Sequence, residues 1–176
     1  MAERGIWIAA LTMVCGAGIW DWRERRIPNV LTVAGLLTGI ALNAWWERWP
    51  GVLNSLEGAG LALGLLLPMV LLRGLGAGDW KLMGALGALV GPAEVMAILL
   101  ATIFLSGIVA LGQVLVKRRM WETFLNLWDL VRGFFVYGLL PHPQIHLENP
   151  RGVSLPFGVV AAVATLVCFW LGRPRW

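Results

Sequence analysis

The feature that most restricts this chain is a succession of apolar stretches, each close to the length of a bilayer crossing, separated by short charged or Gly/Pro-containing connections. Along the 176 residues such spans fall at about Gly5–Trp20, Val30–Trp46, Val52–Leu72, Trp80–Val90, Ala93–Val116 and Val153–Leu171. Most approach the ~20 residues that cover a ~30 Å hydrocarbon core. In lipid the backbone must satisfy its own hydrogen bonds, and a helix does so within one segment. The composition agrees, with 59% apolar and 14% charged residues and a mean hydropathy of +0.75. A soluble domain averages about 45–50% and about 25%, so a disordered chain and an ordinary soluble domain are both excluded. The expected fold is all-α and polytopic, with about six transmembrane helices in a single membrane-embedded domain over residues 1–176. Trp20-Asp21-Trp22 is not a small-residue cleavage site, so the first span is read as retained rather than as a signal peptide.

The pI near 9.8 would suggest nucleic acid in a soluble protein; here it reads as cationic loops that set topology, and no nucleic-acid partner is expected. With both termini on the non-cytoplasmic side, Arg23, Arg25, Arg26, Arg73, Lys81, Lys117, Arg118, Arg119, Arg132 and Arg151 face the cytoplasm. Only Arg4, Arg48, Arg173 and Arg175 lie outside, ten cations against four. Tryptophans at span ends (Trp20, Trp22, Trp45, Trp46, Trp80, Trp170) suit an interfacial belt. In the segment of about 117–152, Trp121–Gly138 puts Trp121, Phe124, Leu125, Trp128, Val131 and Phe135 on one face, as in an amphipathic helix lying on the cytoplasmic interface. His142 and His146 are flanked by Pro141 and Pro143, which spoil a helical metal face. Cys15 and Cys168 are far apart in apolar runs. No metal and no cofactor are expected.

Trp80–Val90 is the odd span, about 11 residues or roughly 17 Å of helix. A hairpin at Gly91-Pro92 is the economical way to join it to the next stretch. Its inner end then stops on the order of 10 Å below the cytoplasmic surface, at Gly74-Leu75-Gly76-Ala77-Gly78-Asp79. Non-helical backbone at that depth needs protein or a water-filled cavity around it, so a wet recess holding Asp79 is expected. An intramembrane aspartate costs about 2.5–3.5 kcal/mol on insertion scales and is a functional candidate by default, although an N-cap role would also suit it. Asp21, ending the first span on the same side, is a second carboxylate at matching depth. Two such groups can hydrolyse an amide without a metal, one activating water as base and the other protonating the carbonyl oxygen and then the leaving amine. Asp79 is expected to be the base and Asp21 the acid, because the first opens a helix and the second closes one.

These residues carry a resemblance. Asp21-Trp-Arg-Glu-Arg-Arg-Ile-Pro-Asn29 resembles the first aspartate motif of the type IV prepilin peptidases, and Gly76-Ala-Gly-Asp-Trp-Lys81 resembles their Gly-x-Gly-Asp-x-Lys motif. The resemblance extends over essentially the whole chain, including two spans between the motifs and a short fourth helix. It implies an inner-membrane aspartic endopeptidase that removes the leader of prepilin-like proteins on the cytoplasmic side of their hydrophobic segment. Asp21 and Asp79 are then the catalytic pair. The partners implied are a prepilin or pseudopilin with a basic leader and an apolar helix, and the lipid bilayer. The first loop is a few residues without cysteine, so the chain looks like the short peptidase-only members found with Tad/Flp-type pili. No separate N-methyltransferase domain is expected. Presenilin-like proteases share Gly-x-Gly-Asp, but their Tyr-Asp partner is absent here, where Asp21 follows Trp20.

Other residues are read from their chemistry. Gly76 and Gly78 allow close backbone approach, to a substrate strand or to a packed helix. Lys81 can tune Asp79, bind substrate, or snorkel to the interface. Pro28 and Asn29 are expected to turn the chain and cap the second helix. The competing class is a non-catalytic membrane assembly or transport subunit whose aspartates serve structure or ion passage.

Overall fold

A computed structural model describes residues 2–72, 74–116 and 157–172. Among these residues there are six helices and no strand: α1 (Ala2–Glu24), α2 (Asn29–Glu47), α3 (Trp49–Leu71), α4 (Ala77–Val90), α5 (Pro92–Val116) and α6 (Phe157–Leu171). The all-α, polytopic reading holds. Among the described residues four helices, α1, α2, α3 and α5, are long and apolar enough to cross a membrane, while α4 has 14 residues and the described part of α6 has 15. Trp121–Gly138, His142 and His146 lie outside the described residues.

The connections are minimal where the sequence supplies turn residues. Arg48 alone separates α2 from α3, with φ +58. Gly91 turns α4 into α5 with φ +83, a conformation glycine adopts without the Cβ clash of other residues, and Pro92 then opens α5, where a missing N–H costs nothing. The chain therefore breaks at Gly91-Pro92, where a hairpin was expected.

The short helix lies at the centre. At about 1.5 Å per residue, the 14 residues of α4 span roughly 21 Å, less than the ~30 Å hydrocarbon core. Every residue from Leu82 to Leu89 is buried, with α2 and α3 as its main neighbours and α1 beside them. The outer helices instead turn Leu37, Leu65, Ile103, Phe104 and Leu111 outward, as expected where the surroundings are lipid.

Small residues set how closely these helices approach. A Cβ at Gly39 would meet the Ala88 carbonyl at 2.7 Å. One at Gly58 would land on the Gly87 carbonyl oxygen, and one at Gly87 on that of Gly58. Helices associating in lipid gain most from such close packing and from hydrogen bonds between them. Asn43 of α2, 2% exposed, supplies the latter. Its Nδ2 lies 3.1 Å from the Ala88 carbonyl oxygen, 3.0 Å from that of Leu89 and 2.9 Å from Ser55 Oγ. The Ala88 carbonyl lacks a helical partner because residue 92, which would donate to it, is proline. Asn43 thus caps the last turn of α4 from a neighbouring helix.

The other side of the bundle is built by α6, which packs against α1 and α5; Trp7 of α1 meets Phe169 of α6 with ring centroids 5.5 Å apart. Trp20, Trp22, Trp45, Trp46 and Trp170 are exposed at helix ends, as an interfacial belt requires. Trp80 departs from that expectation. It is partly buried, and its Nε1–H donates to the Leu63 carbonyl of α3 at 2.8 Å, joining the first turn of α4 to α3.

Replacing Gly87 with Val should lower the thermal midpoint of the purified protein and its accumulation, with a cost of about 1–3 kcal/mol or more for forcing α3 and α4 apart. Gly64→Ala, at a position open on all sides, should leave both measurements unchanged.

Candidate active site

Two helix ends and a short connection meet at one end of the bundle. The first span extends further than the sequence suggests: α1 continues to Glu24, and Asp21 sits one turn before its end, with its carbonyl accepting the Arg25 N–H at 2.9 Å. Asp21 is 6% exposed. Its Oδ2 accepts a hydrogen bond of 2.9 Å from the backbone N–H of Gly158, the second residue of α6. The first four N–H groups of a helix have no partner within it, and Asp21 takes up one of them. The approach is close: a Cβ on Gly158 would stand 3.1 Å from the Asp21 Cβ and 3.3 Å from the Ala17 carbonyl oxygen.

Asp79 also lies inside a helix. The expectation of irregular backbone from Gly74 to Asp79 is corrected, since α4 begins at Ala77 and only Gly74–Gly76 are non-helical. Gly76 holds the N-cap position and Asp79 is the third residue of the helix. Its carboxylate turns back toward Gly76. The space beside Gly76 is occupied by this side chain, Oδ2 lying 2.9 Å from where a Cβ would be. Asp79 remains partly exposed.

The fold brings the two aspartates together, near enough for their carboxylates to act on each other electrostatically. They come from helices 58 positions apart in the chain. As expected, Asp21 lies in the last turn of its helix and Asp79 in the first turn of α4. The inference of separate roles nevertheless fails, because the Gly158 N–H gives Asp21 the start of α6 to face. The dipole therefore no longer distinguishes base from acid.

The remaining candidate residues surround this pair. Gly78 packs within the protein, a Cβ there coming 3.3 Å from the Ile27 Cβ. Pro28 occupies the N-cap position of α2 without a side-chain cap bond. Asn29 is the first residue of α2, and instead of capping it the side chain accepts a 3.0 Å hydrogen bond from Lys81 Nζ. Gly158 was missed by the sequence reading. A glycine opening a late apolar stretch carries no local sign of a carboxylate 137 positions earlier in the chain.

The fold and site thus define a helical membrane protein in which two carboxylates from different helices converge. A model of the type IV leader peptidase family matches residues 7–111, more than half of the chain. The chain belongs to this family, and it is a peptidase. No curated protein and no solved structure matches it. The matched residues contain both aspartates but not Gly158.

Gly158→Ala should reduce peptidase activity about tenfold while the protein still accumulates, because the added methyl pushes Asp21 from its donor and side-chain geometry at a reacting centre is unforgiving. Cleavage assays alongside immunoblots of membrane fractions check this; activity equal to wild type would show that the Gly158 contact does not position Asp21.

Proposed function

We propose that the protein is a metal-independent aspartic endopeptidase that removes the leader of prepilin-like substrates at the cytoplasmic face of the inner membrane. The observation that carries this reading is the convergence of Asp21 and Asp79 at one end of the bundle in a chain of the type IV leader peptidase family. One carboxylate takes a proton from water as the water oxygen attacks the scissile carbonyl carbon. The other, protonated, donates to the carbonyl oxygen. The tetrahedral intermediate collapses as the newly protonated carboxyl gives its proton to the leaving nitrogen and the other carboxylate takes one from the intermediate's hydroxyl, which returns both groups to their starting states. Gly76 and Gly78 form the backbone beside Asp79.

The chain acts as a single membrane-embedded domain, multi-pass, with both termini outside and the aspartate end inside. The arginines around Asp21 (Arg23, Arg25 and Arg26), all exposed, support that orientation under the positive-inside rule. The substrate is a prepilin or pseudopilin with a basic leader followed by an apolar helix. A basic leader is repelled by this arginine cluster, so its cations are assigned to topology and to anionic headgroups rather than to substrate capture.

Purified protein in lipid should cleave a peptide that joins a basic leader to an apolar helix. Asp21→Asn and Asp79→Asn should each lower the rate by at least about 10²-fold while the protein accumulates normally, because an amide keeps the shape but cannot transfer the proton. Full activity in either variant overturns the proposal. EDTA should leave the rate unchanged; a loss reversed by zinc would point to metal chemistry instead.

A further inference from the structure

The two aspartate-bearing helices are not joined to one another directly. After α1 ends at Glu24, the chain passes through Arg25–Pro28 and enters α2 at Asn29. Arg25 adopts φ +54, and Arg23, Glu24, Arg25 and Arg26 are all exposed. Ile27 is the buried residue of this stretch, which leads directly from Asp21. Two contacts fasten it to the first turns of α4. Ile27, 9% exposed, lies against Gly78, the residue before Asp79. Lys81, on the next turn, donates to Asn29 Oδ1 at 3.0 Å across 52 positions of sequence. Among the described residues Lys81 makes this contact and no ion pair with either aspartate.

We propose that Lys81 and Asn29 form a latch that closes the α1–α2 connection over the start of α4 and so fixes how Asp21 and Asp79 face each other. Lys81 is then a positioning residue and neither binds substrate nor carries a proton. Ile27 alone resists separation of the two segments but not sliding, because apolar contact is non-directional. The hydrogen bond supplies the direction. A charged donor to a neutral acceptor is among the stronger hydrogen bonds, but at an exposed site it adds little to global stability. Its loss should therefore appear in geometry and turnover rather than in accumulation. The catalytic part of the proposal rests on the peptidase reading; the latch itself does not.

The test combines leader-peptide kinetics with amide hydrogen exchange of the protein in lipid nanodiscs, following a fragment that covers residues 22–32. Lys81→Met keeps the apolar stem and removes the donors, Asn29→Leu removes the acceptor, and Asn29→Asp retains an acceptor. Lys81→Met and Asn29→Leu should each lower kcat about tenfold with KM within about twofold. The double variant should be no worse than either single one, as expected for two halves of one interaction. Asn29→Asp should restore kcat, and exchange in the fragment should rise in both single variants but not in Asn29→Asp. A raised KM at unchanged kcat for Lys81→Met, with Asn29→Leu behaving as wild type, would assign Lys81 to substrate and overturn the latch. Losses that multiply in the double variant, or unchanged exchange, would overturn it too. If the wild-type protein cleaves no leader peptide, the peptidase reading falls and exchange alone decides: loosening in both single variants upholds the latch and unchanged exchange removes it. Should Lys81→Met fail to accumulate, Lys81→Gln carries the same comparison.

Discussion

The structure depends on burying a helix that is too short to face lipid along its whole course. In a membrane, the ends of such a helix, with their unpaired backbone groups, must be enclosed by protein. The glycine contacts of Gly39 and Gly58 bring α2 and α3 close enough to do this. They also bring Asn43 to the Ala88 and Leu89 carbonyls, where Pro92 has removed the ordinary donor. The turn that makes α4 short and the asparagine that satisfies the consequence are therefore parts of one solution. At the opposite end Trp80 fastens the first turn of α4 to α3 by donating to the Leu63 carbonyl.

A different logic holds Asp21. α1 crosses the bundle beside α6, and the carboxylate is fixed by a backbone donor of that neighbour. A backbone donor has an advantage over a side chain at such a site, because its direction is set by a whole helix and not by rotamers. The arrangement requires glycine at 158, since α6 lies nearly in contact with the Asp21 side chain and the Ala17 carbonyl. Both aspartates are consequently tied to helix N-termini, one to its own helix and one to another. Relative motion of α6 and α4 would translate into relative motion of the carboxyl groups.

The sequence was most informative where a single segment carries its own constraint. Span lengths follow from hydrophobic runs, the α4–α5 break from Gly91-Pro92, and the aspartates from the cost of placing a carboxylate at membrane depth. It was least informative about which side chain meets which across helices. Trp80 has the position of a belt tryptophan but turns inward, because a carbonyl of α3 is within reach of its N–H. Asn29 has the position of a helix cap but faces Lys81. Asn43 looks like an ordinary polar residue near a span end until α4 is packed on it. Helix boundaries were misplaced by about a turn at Asp21 and Asp79, where charged or glycine-rich sequence conceals continued helix. The chemical inference changed for another reason: the Gly158 N–H brings the start of α6 to Asp21 and so removes the dipole difference on which separate roles for the two aspartates had rested.

What distinguishes the two carboxylates must then come from their surroundings. Asp21 is nearly buried, while Asp79 is partly exposed beside a glycine-lined start of helix. Asp21 cannot rotate without losing the Gly158 N–H, and the Asp79 carboxylate lies against Gly76. Under the peptidase reading proposed above, a substrate backbone entering this end of the bundle meets the more open Asp79 first, and anything that sets the separation of the two carboxyl groups, including contacts outside the bundle core, acts on both at once.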